Sequence, residues 1–240
     1  MRTFFVALFC LVSWSSLSVA SEQPLQHTSV DVFDQLSVIR GAGYFADYCM
    51  GCHGIKQIRY SRVMKDLKLS ESKLRETLLF GDLKVHQNIE ASMSAQQGEA
   101  IFGVEPPDLS LVVRSRGADW VYTYLKSFYV DEKRPLGVNN TVLPNAAMPN
   151  VLWALQGEQY PQIHREHGED KVVGVELVKK GQLTPNQFDH VVSDIVNFLA
   201  YVGEPSQLQR VPLGKYVIAF LLLLTFILYK LKKEYWKDID

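Results

Sequence analysis

The chain has 240 residues, 47% of them hydrophobic, and its 25 Lys and Arg almost cancel its 26 Asp and Glu to leave a formal charge of -1. That length allows one sizeable domain plus membrane elements, and so balanced a charge offers no electrostatic footprint for nucleic acid, so no nucleic-acid partner is expected. Three cysteines are too few for a disulfide framework, so the redox compartment must be read from targeting signals.

Met1-Arg2 opens the chain with a positive charge, Phe4 to Val12 is an apolar run too short to span a bilayer, and Ser18-Val19-Ala20 supplies small residues at a cleavage position. Residues 1–20 therefore read as a secretory signal peptide, the mature chain starting near Ser21. Ser13, Ser15 and Ser16 cut the apolar run short of an uncleaved anchor. From Asp34 to Tyr48, Leu36, Ile39, Tyr44, Phe45 and Tyr48 recur near helical spacing, with Asp34 or Ser37 as N-cap. Gly41 and Gly43 cost that helix about 1 kcal/mol each relative to alanine. They mark either a close approach by another helix or the cofactor, or a bent segment.

The helix leads into Cys49-Met50-Gly51-Cys52-His53, a C-x-x-C-H run. Two thiols three positions apart can each add across a haem vinyl group, and the following imidazole can take one axial face of the iron. A redox dithiol would need a preceding strand in a βαβ unit. A structural zinc would need further thiols, and the one remaining, Cys10, lies in the expected signal peptide. The motif is thus expected to bind one covalent haem c. Export fits this, since bacterial haem ligation to cysteine takes place outside the cytoplasm.

Beyond the motif, a basic stretch (Lys56, Arg59, Arg62, Lys65) precedes a short helix capped by Ser70 and closed by Gly81. Residues 82–97 read as a surface loop, with a further helical turn from Ser94 to Ala100. Pro106-Pro107 cannot sit inside a helix and forces an extended entry, after which Asp108 or Ser110 is expected to cap a new helix. Trp120, Val121, Tyr124, Leu125 and Phe128 share one face of a helix expected over Asp119 to Tyr129, an aromatic stripe suited to core or to covering the haem.

The run from Asp131 to Asn150 is largely irregular and holds Met148, a candidate sixth ligand, because a thioether opposite the histidine raises the potential of an electron-transfer haem. On the residues alone, Met50, Met64 and Met93 remain alternatives, and His86, His164, His167 and His190 would give bis-histidine ligation. His164 to Lys171 reads as a solvated, charge-rich loop. Thr184-Pro185 opens a helix whose apolar face is Phe188, Val191, Val192, Ile195, Phe198 and Leu199, ended by Gly203-Glu204-Pro205 and expected to pack on the Asp34 to Tyr48 helix. Val211 to Tyr229, charged only at Lys215, spans roughly 28 Å as a helix and reads as a transmembrane segment. Lys230, Lys232, Lys233 and Lys237 then place the tail, residues 230–240, in the cytoplasm.

Cys49 to His53 followed by Arg59-Tyr60, then Phe102-Gly103, Pro106-Pro107-Asp108-Leu109-Ser110, Arg114 to Trp120, Met148 to Trp153, and Tyr235-Trp236-Lys237-Asp238, together resemble the cytochrome c1 family in its proteobacterial form. The likeness runs through the whole mature chain. It implies a mainly α, class I-like c-type cytochrome domain (residues 21–210) with one C-terminal transmembrane helix (211–229), on the periplasmic side of the bacterial inner membrane. The same resemblance implies a place in the ubiquinol:cytochrome c oxidoreductase, with cytochrome b, the Rieske iron-sulfur protein, and a soluble or membrane-attached cytochrome c as partners. It assigns Met148 as axial ligand opposite His53, Arg116 as a haem-propionate partner, and Pro106 and Pro107 as haem-lining residues; Trp120 stands where many relatives have tyrosine. Lacking the extra cysteine pair of some bacterial relatives, the methionine loop is expected to be steadied by packing.

Two functions of different class follow from a haem here. An electron-transfer subunit needs both axial positions filled, whereas a haem enzyme such as a peroxidase needs one open. Within the first class, a cytochrome serving a terminal oxidase would more often carry its anchor at the N-terminus. Glu99, Glu105, Asp131 and Glu132 are candidates for an acidic docking patch for a basic acceptor.

Overall fold

Residues 24–166 and 169–237 are described by the computed structural model; the expected signal peptide lies outside them, as does His167. The first helix, α1 (Gln35–Tyr48), begins where the Asp34 carboxylate accepts the Ser37 N–H at 3.1 Å, and it buries Val38, Ala42 and Phe45. After the C-x-x-C-H turn come β1 (Ile55–Arg59), α2 (Tyr60–Asp66) and α3 (Glu71–Thr77), the last capped by Ser70. The short β2 (Asn88–Ile89) pairs antiparallel with β1. The turn expected near Ser94 is a full helix, α4 (Ala95–Phe102), held by a Ser94/Gln97 capping box. Then follow α5 (Val112–Arg116), α6 (Ala118–Lys126), β3 (Phe128–Val130), β4 (Val138–Asn140) and α7 (Trp153–Gln156). A hairpin of β5 (Gly157–Glu166) and β6 (Glu169–Lys180) leads to α8 (Pro185–Gly203) and α9 (Gln207–Tyr235).

The core is built where α1 crosses α8. Thr184 and Gln187 form a capping box with Pro185 in the first turn, and Phe188, Val191, Val192, Ile195, Phe198 and Leu199 are all buried, as their spacing predicts. A Cβ added at Gly41 would lie 1.9 Å from the Asp194 carbonyl oxygen, so only glycine lets the two backbones meet. At Gly43 the nearest atom to an added Cβ is Thr77 Cγ2 at 3.8 Å, so close approach explains the first glycine and not the second. A polar clamp fixes the crossing: the buried Asp194 carboxylate accepts from Ser37 Oγ at 2.6 Å and from Arg40 Nε and Nη2 at 2.7 and 2.8 Å. Asn197 Nδ2 donates to the same Ser37 hydroxyl at 2.7 Å. Phe45 and Phe198 pack beside it with ring centroids 5.5 Å apart.

Ahead of α1, the chain lies as a strap across α6 and α8. The backbone N–H groups of Gln26, Thr28 and Asp31 donate to Thr123 Oγ1, Asp119 Oδ1 and Asn197 Oδ1 at 2.8, 2.9 and 3.0 Å.

Three expectations are corrected. The helix over Asp119 to Tyr129 stops at Lys126, because Phe128, Tyr129 and Val130 are aromatic and β-branched residues that pair as β3 with β4. Of the span read as a solvated loop, residues 164–166 and 169–171 are paired strand at the far end of the β5–β6 hairpin, whose base is tied down by Gln159 Nε2 donating to the Lys126 and Phe128 carbonyls at 2.7 and 2.8 Å. Neither Asp108 nor Ser110 caps α5; its N-cap is Leu111, without a side-chain bond.

The result is the mainly α, class I-like arrangement expected, with small two-stranded sheets at its margins. Among the described residues α9 is the one helix long and apolar enough to cross a membrane. None of its residues is buried, and it runs beyond the apolar segment 211–229 at both ends. It fits a single-pass membrane anchor.

Candidate functional site

The C-x-x-C-H motif caps α1 as a tight turn. The Cys49 carbonyl accepts both the Cys52 N–H at 3.0 Å and the His53 N–H at 2.8 Å, so both sulfurs and the imidazole issue from one turn. Both cysteines are free; Cys49 is 7% exposed and Cys52 half-buried. Burial, with the neighbouring Cys52 adding to it, pushes the Cys49 thiol up to about 12. Met50, inside the motif, is core: its sulfur faces the Tyr60 hydroxyl at 4.0 Å, and the residue is buried.

His53 is held by a segment far along the chain. Its Nδ1 lies 2.8 Å from the Pro107 carbonyl oxygen, which can only accept, so Nδ1 carries the proton and Nε2 keeps its lone pair. Burial lowers the pKa of the imidazole against the opposing pull of the Pro107 bond and the Asp108 charge. The neutral ring with Nε2 free is the form a metal takes.

Residues 107–110 are zipped to 53–57 by alternating bonds. Asp108 Oδ2 accepts the Lys56 N–H at 2.7 Å, the Leu109 N–H donates to the Gly54 carbonyl at 2.8 Å, and Ser110 Oγ accepts the Gln57 N–H at 3.0 Å. This is the work of the two side chains read as helix caps. Pro106 seats this segment on α4, where a Cβ at Gly98 would come 2.4 Å from Pro106 Cδ. A cavity of about 320 Å³ lies beside it, lined by Cys52, Met93, Glu105 and Pro106 among others.

The second half of the site is a ladder along α6. The Arg116 guanidinium lies 5.1 Å from the centroid of the Trp120 ring. Trp120 stacks on Tyr124 at 5.1 Å with planes 6° apart, and Tyr124 meets Phe128 edge-on at 5.1 Å. The ladder ends at Met148, whose sulfur accepts the Tyr124 O–H at 3.4 Å.

Packing is only part of what holds the Met148 loop. Buried Asn140 donates from Nδ2 to the Tyr124 carbonyl at 2.8 Å, and its Oδ1 accepts the N–H groups of Val142 and Leu143 at 2.9 and 3.1 Å. Asn139 Oδ1 accepts from Asn145 at 2.8 Å, and its Nδ2 donates to Asp131 at 3.0 Å. Asn139 and Asn140 thus shape the loop, a role sequence reading missed. Adjacent asparagines ahead of an irregular run are its signal, since Asn side chains replace backbone partners in turns.

Contacts therefore join Cys49, Cys52, His53, Pro106 and Pro107 in one group, and Arg116 and Met148 in another by way of Trp120 and Tyr124. Met148, Trp120, Leu109, Val113 and Val151 all sit half-covered against the same core. Two thiols and an imidazole issuing from one turn, with Nε2 keeping its lone pair, and half-covered apolar side chains with a thioether among them fit a haem. Of the alternative ligands, His86, His164 and His190 are exposed, Met64 packs on the core, and Met93 lies beside Cys52 with its N–H on the Gly51 carbonyl at 3.0 Å. In the expected docking patch Glu99, Glu105 and Glu132 are exposed, whereas Asp131 braces its own turn through Lys133 N–H and Asn139.

Residues 82–239 match the model of the Cytochrome C1 family. A cytochrome c1 from Allochromatium vinosum is 47% identical over 243 residues, with both chains covered in full. The ammonia monooxygenase gamma subunit of Nitrosomonas europaea is 39% identical, covering 100% of this chain and 99% of its own. The mitochondrial cytochrome c1 haem protein of Kluyveromyces lactis is 26% identical, over 88% of this chain and 73% of its own.

Proposed function

The chain belongs to the cytochrome c1 family, a haem c electron-transfer subunit of quinol–cytochrome c reductase, and from that premise we propose how its residues serve the relay. Cys49 and Cys52 would hold the haem through thioethers, His53 Nε2 and Met148 Sδ would fill the axial positions, and Arg116, with Pro106 and Pro107, would line the pocket. The chemistry the haem supplies when bound is a one-electron cycle between ferric and ferrous iron. The single observation that carries this reading is the turn in which Cys49 accepts from both Cys52 and His53, with His53 Nδ1 spent on Pro107.

Each residue has a task that needs no substrate. Pro107 fixes the tautomer and plane of His53, and the 107–110 zipper keeps that ring still through a change of charge, which lowers the reorganisation an electron transfer requires. Met148, presented by the Asn139–Asn140 loop, would supply a second protein ligand to the iron, as an electron carrier requires and a haem enzyme does not. Arg116, anchored on Trp120, offers a cation to a propionate. The proposed donor is a Rieske iron-sulfur protein and the proposed acceptor a soluble or membrane-attached cytochrome c, with cytochrome b as membrane partner of α9 and the domain on the periplasmic side.

The name of the Nitrosomonas relative gives a second reading, a subunit of an oxidising enzyme, for which an iron position open to small ligands would be needed. Changing both Cys49→Ser and Cys52→Ser should abolish haem staining on a denaturing gel; a retained stain would refute the attachment. Purified membranes should yield this chain together with cytochrome b and an iron-sulfur protein, and its haem should stay oxidised on quinol addition when the iron-sulfur protein is removed. Reduction without that protein would overturn the relay.

A further inference from the structure

We propose that Lys65, Lys68 and Arg114, gathered around the last turn of α8, form a basic collar that rests on anionic phospholipid headgroups of the leaflet α9 enters. The inference rests on α9 as membrane anchor and is independent of the haem ligands. It gives a task to part of the basic stretch after the C-x-x-C-H motif, which the relay leaves unused.

Chain continuity fixes the membrane end of the domain. Only Glu204, Pro205 and Ser206 separate α8 from α9, and the apolar segment starts at Val211, a rise of roughly 6 Å into α9. That rise matches the headgroup layer, about 5–7 Å deep on each side of the hydrocarbon. The end of α8 therefore lies at the rim of the headgroups.

Two elements flank it. α2 is tied to α8 where buried Tyr201 donates to Asp66 Oδ2 at 3.1 Å, and Arg62 Nε reaches the same oxygen at 2.5 Å. α5 is tied through Arg114, whose Nη1 donates to the Gly203 carbonyl at 3.4 Å. These bonds spend the acids and leave the bases. Asp66, its side chain 5% exposed, is shared by Arg62 and Tyr201, and Glu204 is taken by Arg210. Lys65 and Lys68 are exposed and, like Arg114, have no carboxylate partner among the described residues. Lys68 follows α2 at φ 53°, a left-handed position where a lysine carries a backbone cost that glycine would avoid. Long basic side chains can lay their stems along an interface and hold their cations among phosphates. Three such charges are too few to keep the domain on a membrane without α9, so their effect is to set its tilt.

The test places the full chain, in its membrane complex, in bilayers of phosphatidylcholine alone or mixed with phosphatidylglycerol. Acylation of single lysines by an uncharged amine reagent is followed by mass spectrometry. At about 0.1 M salt Lys65 and Lys68 should react about three- to sevenfold more slowly in the anionic bilayer, because its negative potential concentrates protons and keeps the amines charged. Exposed Lys180, ahead of the opposite end of α8 and roughly 27 Å away along it, should react alike in both. Salt at about 1 M should erase the difference. Equal rates at Lys65 and Lys68 in the two bilayers overturn the proposal; if both are slow in either lipid, a partner subunit covers the face instead. Lys65→Glu with Lys68→Glu should broaden the spread of haem tilt in oriented multilayers, read by electron paramagnetic resonance, when the lipid is anionic and not when it is zwitterionic. An unchanged spread in anionic lipid also overturns the proposal, and should that variant fail to fold, acylation of the parent decides. Alkaline carbonate separates the two levels. A full chain that it extracts is not anchored by α9, and the inference falls with that reading; a chain that stays in the membrane with both lysines reacting alike keeps the anchor and loses the collar.

Discussion

At the scale of single residues, the site depends on side chains whose partners lie far along the chain, and local spacing misassigns them. Cys49, Cys52 and His53 are legible because their chemistry is contained in five consecutive positions. Asp108 and Ser110 look like helix caps for the same local reason, yet they bond Lys56 and Gln57 across the zipper. The role proposed for Met148 rests on the family resemblance, since a lone methionine in an irregular run has no spacing to read. Met148→Leu keeps the volume and removes the sulfur, so it should abolish the charge-transfer band and lower the midpoint potential in a redox titration. Asp194→Ala strips the shared acceptor from Ser37 and Arg40 at the helix crossing and should cost about 2–3 kcal/mol, read from denaturant unfolding.

Elements with strong period and clear caps were legible: α1 and α8 form where their apolar spacing and the Asp34 and Thr184 caps put them. The end of α6 was not, because Phe128 falls on the helical stripe while its backbone is claimed by a strand ten residues on. The hairpin was hidden for another reason, as charged residues at its far end mask alternation along β5 and β6. Gly41→Ala forces a methyl into the α8 backbone and should destabilise by about 1–3 kcal/mol or more, whereas Gly43→Ala, which meets only an ordinary contact with Thr77, should be neutral to stabilising.

The strap on α6 is an element sequence reading did not anticipate, and it carries a pH signature. The Thr28 N–H, with His27 beside it, holds the Asp119 carboxyl below the usual carboxylate range. A depressed folded value means that the strap's contribution is complete above the unfolded pKa of about 4 and is lost as pH falls through the lower folded one. The amide-exchange protection factor at Thr28 should therefore fall on acidification before those in α1 and α8 do, and Asp119→Asn should remove that dependence.

On the scale of the whole molecule, the haem domain and α9 make separate demands. Leu208 still touches the core and Glu204 pairs with Arg210 at 2.7 Å, but nothing in α9 is buried. Truncation after Arg210 should thus release a domain that floats free of membranes on centrifugation and keeps its haem spectrum. The burial of Cys49 imposes, in addition, a timetable on manufacture. A thiol 7% exposed beneath a closed fold is out of reach of ligation machinery, so the sulfur–carbon bond at Cys49 is expected to be made on an open chain, before residues 107–110 arrive to lock His53. Folding is then the last step of cofactor loading, and a chain that closes early is a dead end for the cell to clear.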